Sequence, residues 1–356
     1  MAARRDLTAE QTRALHEGLV IPAHPLALRE DRSLDERSQR ALTRYYVAAG
    51  AGGVAVGVHS TQFEIRDPKF GLFEKVLRLA AEEVDRARIA RPFLKIAGIC
   101  GGTEQALAEA DTAAALGYDA GLLSMGGLSG WTEAQILERT ARVAEQMPVV
   151  GFYLQPSVGG RVFSFDFWKQ FAAIPGIVAI KIAPFNRYQT IDVVRAVCCS
   201  ERRDDIALYT GNDDNIVNDL LTVYRFRIGE QTVEKRIVGG LLGHWAVWTR
   251  KAALLLEEIK RARASGSIAP EWLTRNIEVT DCNAAFFDPA HGFAGCIPGI
   301  HEVLRRQGLM QGTWCLNPHE TLSPGQMEEI DRVYRDYPHL HDDEFVRAHV
   351  QEWLAE

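Results

Sequence analysis

PVVGFYLQPSVGGRVFSFDFWKQFAAIPGIVAIKIAPFN, residues 148–186, contains two short runs dense in β-branched and aromatic residues, PVVGFYL and IVAIKIA. Between them SFDFWKQFAAI opens on a capping serine, carries apolar residues at helical spacing and stops before Pro175. The pattern is strand, helix, strand. Two strands joined by a helical crossover run parallel.

The same alternation extends both ways from this unit. Strands are expected at GLVIPA (18–23), GGVAVGV (52–58), FLKIAGI (93–99), DAGLLSM (119–125), PVVGFYL (148–154), IVAIKIA (177–183), IALYTG (206–211) and RIVGGLLG (236–243). Helix-like segments lie between them, among them TEAQILERTARVAEQ and DNIVNDLLTVYRF, with WTRKAALLLEEIKRARA after the last strand. Eight strand–helix units with no Gly/Ser/Pro-rich linker predict an α/β fold, a closed (β/α)8 TIM barrel, over residues 1–264 including a short N-terminal extension. Residues 265–356, with IPGIHEVLRRQGL and SPGQMEEIDRVYRDY, read as a C-terminal helical appendage packed on the barrel. No GxGxxG follows a strand, so a dinucleotide-binding sheet has no support.

The chain has 356 residues and a formal charge of −7, and no Lys/Arg block stands apart from acidic residues, so nucleic acid is not an expected partner. No apolar run approaches the ~18 residues of a membrane span, and MAARRDLTAEQTRALHEG lacks the apolar core of a targeting segment. A soluble protein without membrane association is expected. Six cysteines without a CxxC pair fit neither a disulfide framework nor a zinc ribbon, and favour a reducing cytoplasm.

One lysine, Lys181, interrupts an apolar strand. A buried, unpaired ammonium is so costly that the group is either paired or sheds its proton. Strand side chains alternate between barrel interior and helix layer, and active sites lie at the C-terminal ends. Assigning the bulkier face to the helix layer turns Ile177, Ala179, Lys181 and Ala183 inward, with Val149, Gly151 and Tyr153 inward on the preceding strand and His59 inward after the second. A lysine beside a phenol in a dry pocket suits Schiff-base chemistry, and His59 suits acid–base work. The alternatives are a structural lysine paired with a carboxylate and a structural histidine in the pocket wall. Lys95 comes early in its strand, at the end where polar residues serve stability.

In this order and spacing, IPAHPLALREDRSLDE, GFYLQPS, IKIAPFN, TGNDD and GLMQGTWCLNPHETLSPGQMEEIDRVY resemble the dihydrodipicolinate synthase and N-acetylneuraminate lyase family of class I aldolases, over residues 18–336. The resemblance implies that Lys181 forms an imine with pyruvate or a related 2-oxo acid and that Tyr153 relays protons. It also implies that Gly57 begins a loop whose N–H groups hold the substrate carboxylate near Ser60 and Thr61, and that Asn212 of TGNDD belongs to the substrate site. It implies no cofactor or metal, and a homo-oligomer, dimer or tetramer. The chain departs from the family in three places: His59 and Ser60 stand in the threonine-relay segment, Val158 replaces an arginine for which Arg161 is a substitute, and LLSMGGLSG lacks a tyrosine pair. Dihydrodipicolinate synthesis itself is therefore not expected. The rival readings are a metal-dependent lyase or hydrolase using His24, His59, Asp213, Asp214 and His244, and a non-catalytic relative that binds an oxo acid or sugar.

Overall fold

The computed structural model describes residues 4–355. Ten strands follow in chain order: β1 (Val20–Pro22), β2 (Gly53–Val56), β3 (Leu94–Ile99), β4 (Ala120–Leu123), β5 (Val149–Leu154), β6 (Ile177–Ala183), β7 (Ala207–Thr210), β8 (Tyr224–Ile228), β9 (Gln231–Lys235) and β10 (Ile237–Leu242). Eight of them form one parallel sheet in the order β1-β10-β7-β6-β5-β4-β3-β2. A parallel bridge between Ala23 and Ala55, with the His24 N–H donating to the Ala55 carbonyl at 2.8 Å, closes the sheet into the expected (β/α)8 barrel. Side-chain oxygens cap several of the surrounding helices: Thr132 accepts from Gln135 N–H, Ser164 from Phe167 and Asn186 from Gln189.

The interior is a small apolar core of its own, holding Ile21, Ala55, Ile96, Leu122, Val150, Phe152, Leu154, Ala179 and Tyr209. Its N-terminal end is plugged by the helix Ala9–Glu17, whose Leu15 joins that core. Tyr209, level with Lys181 in the β6–β7 ladder, points its ring toward this plug. Its hydroxyl donates to the Leu15 carbonyl at 2.8 Å and accepts from the Leu19 N–H at 3.1 Å. The barrel interior is therefore sealed at its floor.

One expected helix is shortened. DNIVNDLLTVYRF is helical only over Ile216–Leu221, and the chain then forms the antiparallel hairpin β8–β9. Tyr224, Phe226 and Ile228 alternate at strand period, and Gly229 supplies φ 60° at the turn, a conformation that glycine adopts without a steric penalty. After the barrel come helices Glu271–Phe287, Cys296–Arg306, Gln326–Asp336 and Asp343–Trp353. The first packs on Ile216–Leu221 and the last on the helix Glu36–Ala49.

Tyr209→Phe strips both hydrogen bonds from the floor and leaves the Leu15 carbonyl and Leu19 N–H without their phenolic partner. A loss of about 1–3 kcal/mol is expected in urea unfolding, with faster hydrogen exchange at the Leu19 amide.

Candidate active site

Strand β6 carries Lys181 inward, one turn of the ladder below the mouth. Its parity follows a bulge: Val149 pairs with Ile177 but Val150 with Ala179, so Ile177 faces the helix layer while Ala179, Lys181 and Ala183 face inward. Gly211 makes room for the lysine stem, since a Cβ there would stand 2.7 Å from Lys181 Cε. The side chain is 8 % exposed, and that exposure opens into a cavity of ≈ 70 Å³ at the C-terminal end of the barrel. No carboxylate oxygen among the described residues lies within 4.0 Å of Nζ.

Burial pushes the Lys181 amine down to about 8, and the Asp213 carboxylate across the cavity opposes the shift. Against an ordinary 10.5, this is a bias of roughly 3 kcal/mol toward the neutral amine. About a tenth of the amines are then neutral at pH 7, where an unshifted lysine offers under about a thousandth. The Phe152 ring face, its centroid 4.3 Å from Nζ, stabilises the charged form and offsets part of this bias.

Burial drives Asp213 the other way, up to about 7, and the nearby Lys181 charge moderates the rise. Its Oδ1 accepts the His244 N–H at 3.2 Å, and its carbonyl accepts Asn283 Nδ2 at 2.6 Å. This carboxyl therefore exchanges its proton near neutral pH. Sequence reasoning had named Asp213 only as a metal ligand. The available signal was its place directly after β7, at the catalytic end of a barrel strand.

His59 also lines the cavity, in a 3-10 turn over His59–Thr61 that follows Gly57 at φ 78°. Burial and then the Lys181 charge push its imidazole down to about 4. It is neutral at pH 7, suited to donating a hydrogen bond and poor at collecting a proton. Ser60 lines the cavity beside it and donates to the Ala23 carbonyl at 2.8 Å. Thr61 is turned into the wall: its hydroxyl donates to the His24 carbonyl and accepts the Gly57 and Val58 N–H groups. Those two amides are occupied by Thr61.

Three expectations are corrected. Tyr153 does not face the lysine; its ring lies in the helix layer, with centroids 4.9 Å from Trp168 and 6.0 Å from Phe163. The inward face of β5 is Val150, Phe152 and Leu154, and Phe152 takes the place beside Lys181. The reason is Gly151: Phe171 presses so closely on the outer face that a Cβ there would lie 2.6 Å from its ring, so the small residue belongs outside. Asn212 is fully buried in a bracket, accepting the Phe185 N–H at 3.0 Å and donating to Asp219 and Thr190. Arg161 is held away from the cavity by the Trp131 carbonyl at 2.7 Å and lies over Phe163. Lys95 is paired with Asp85 at 2.7 Å.

The remaining walls include the C-terminal helices. Phe287, Phe293, Cys296 and Ile300 line the cavity together with Leu154, Val158 and Phe185. Phe185 and Phe293 meet edge to face at 5.7 Å, and both have left-handed backbones, φ 50° and 69°. For bulky residues this costs about 1–3 kcal/mol each. His24, one of the metal-ligand candidates, is engaged by Pro25, Thr43 and Gln39, and the described residues contain no group of three or more His, Cys, Asp or Glu side chains placed to hold an ion. No helix among them is long and apolar enough to cross a membrane.

This barrel, with its lysine on the sixth barrel strand, has the fold of the dihydrodipicolinate synthases and N-acetylneuraminate lyases. Among solved structures, dihydrodipicolinate synthase from Oceanobacillus iheyensis is similar with TM-score 0.71 at 17% identity, over 92% of this chain and 98% of that one. The chloride-inhibited synthase from Acinetobacter baumannii, complexed with pyruvate, gives 0.71 at 18%, over 90% and 99%. N-acetylneuraminate lyase from Fusobacterium nucleatum, also complexed with pyruvate, gives 0.69 at 16%, over 92% and 99%. At these identities the likeness establishes the fold. No protein-family model and no curated protein sequence matches the chain.

Because the Tyr153 phenol lies outside the cavity, Tyr153→Phe should leave the rate of Lys181 reaction with a 2-oxo acid within about twofold of wild type. A loss of about 10²-fold or more, the scale of a lost proton carrier, would contradict this placement.

Proposed function

We propose that the protein is a lyase that works through a lysine imine on pyruvate or a related 2-oxo acid. The observation that carries this reading is the Lys181 amine, depressed by burial, without an ion pair among the described residues and open to an internal cavity. A neutral amine attacks a carbonyl, and its desolvated site is the activating device. The pyruvate complexes of two structures with this fold support the choice of substrate class.

Lys181 adds to the keto carbon, and loss of water leaves the iminium. As the C4 hydroxyl loses its proton, that cation draws in the electron pair of the C3–C4 bond, so cleavage releases an aldehyde and leaves an enamine, which regains a proton at C3 before water releases the oxo acid. Asp213 carries these protons in the place usually given to a phenol, because its raised value lies near working pH. His59, neutral, donates to the substrate carboxylate or carbonyl at the side of the cavity it shares with Ser60.

Borohydride reduction of a mixture with pyruvate should add one reduced pyruvate to Lys181, and Lys181→Ala should remove the adduct. The trapping rate should rise with pH through about 8 and level off above it, since the neutral amine is the nucleophile. The Asp213 anion holds the lysine value up, so Asp213→Asn should move the midpoint to lower pH and reduce the plateau by about 10²-fold. An adduct that persists in Lys181→Ala would refute the reading.

A further inference from the structure

The cavity lining is mostly carbon: Phe152, Leu154, Val158, Phe185, Phe287, Phe293 and Ile300 supply most of it. Its polar side chains are Lys181, Asp213, His59, Ser60 and Gln155, with the Cys296 thiol. Among the described residues, no arginine and no second lysine lines the cavity. Arg161, the nearest sequence candidate for a distal anion, is engaged by the Trp131 carbonyl and the Phe163 ring.

The apolar lining is a built feature. Its Phe185–Phe293 pair consists of two residues held in left-handed conformations, each pinned separately. Asn212 Oδ1 accepts the Phe185 N–H, and the Asp288 carbonyl accepts the Phe293 N–H at 2.9 Å. The Asp288 carboxylate in turn fixes the turn by accepting from Gly295 N–H and Ser323 Oγ. A second cavity of ≈ 90 Å³ shares Phe185, Asp213, Phe287 and Phe293 with the first and is lined further by Ala284, Pro289, Asp214, Thr280 and Asn283. Three aromatic rings, Phe185, Phe287 and Phe293, thus wall both cavities.

Resting on the lysine-imine reading, we propose that the substrate is a 2-oxo acid whose portion beyond the reacting carbons is uncharged and apolar, an aryl or branched alkyl group, and that Phe185 and Phe293 select it. A second carboxylate here would be desolvated with no cation to meet it, beside two aspartates that repel it. A polyhydroxylated chain would exchange water for a carbon wall with too few partners for its hydroxyls. An apolar group gains by leaving water.

For a 4-hydroxy-4-aryl-2-oxobutanoate the step balances. Imine formation releases one water, and Asp213 takes the C4 hydroxyl proton. The C3–C4 bond breaks with its electron pair flowing to the iminium, and an aryl aldehyde departs. The enamine is protonated at C3, and one water hydrolyses the imine to pyruvate and free Lys181.

The test is pyruvate release by the wild-type protein from 4-hydroxy-2-oxo-4-phenylbutanoate, 4-hydroxy-2-oxoglutarate and N-acetylneuraminate, run beside borohydride trapping with pyruvate. The aryl substrate should be preferred in kcat/KM by about tenfold or more over each of the others, and Phe293→Arg should shift that ratio toward the dicarboxylate. Equal or better cleavage of the dicarboxylate or the sugar acid overturns the inference, as does trapping of pyruvate without cleavage of the aryl compound. Failure to trap pyruvate at all brings down the imine reading itself.

Discussion

A single amine taken out of water governs the site. Lys181 sits on the inner face of a closed sheet, above a floor made by Tyr209 and the N-terminal helix and beneath walls made largely of carbon. Among the described residues nothing within ion-pairing distance offsets its charge, so burial lowers its proton affinity. The counter-charge at Asp213 is close enough to be felt and too far to neutralise the amine in a contact pair. On the proposed reading, a contact pair would stabilise the ammonium and silence the nucleophile, and with no carboxylate at all the site would lack its proposed proton carrier. The observed spacing lies between these extremes.

The surrounding structure protects that balance. Gly211 yields volume to the lysine stem, and Phe152 lays a ring face under the nitrogen. The helices after the barrel, which might have been an independent appendage, supply Phe287, Phe293 and Ile300 as the outer wall. Strain is concentrated there, at Phe185 and Phe293, and the hydrogen bonds that hold it come from residues outside the cavity, Asn212 and Asp288. Asn212 thus influences the site by fixing the backbone of its neighbour rather than by facing the substrate.

Much of this was legible in the sequence. Eight apolar runs with helical crossovers gave the barrel because its local periods agree with its global topology, and the lysine in IVAIKIA stood out because burial of charge is costly whatever the fold. Parity gave the right face for Lys181 although a bulge displaced Ile177. It failed on β5, where bulk was assigned to the helix layer: Phe171 needs Gly151 outside, and that one close contact reverses the strand's whole assignment. Such a contact is tertiary and leaves no local mark. The β8–β9 hairpin was missed for a different reason, since its alternation followed a true helix without a break. The inner role of Asp213 depended on which of three consecutive polar residues after β7 turns inward, and the bracket around Asn212 decides that.

The most direct test of this account is the titration of the Lys181 amine itself, followed by competitive acylation and peptide mapping across pH. The account predicts that Lys181 titrates near 8. Titration of Lys181 at the ordinary lysine value of about 10.4 would contradict it.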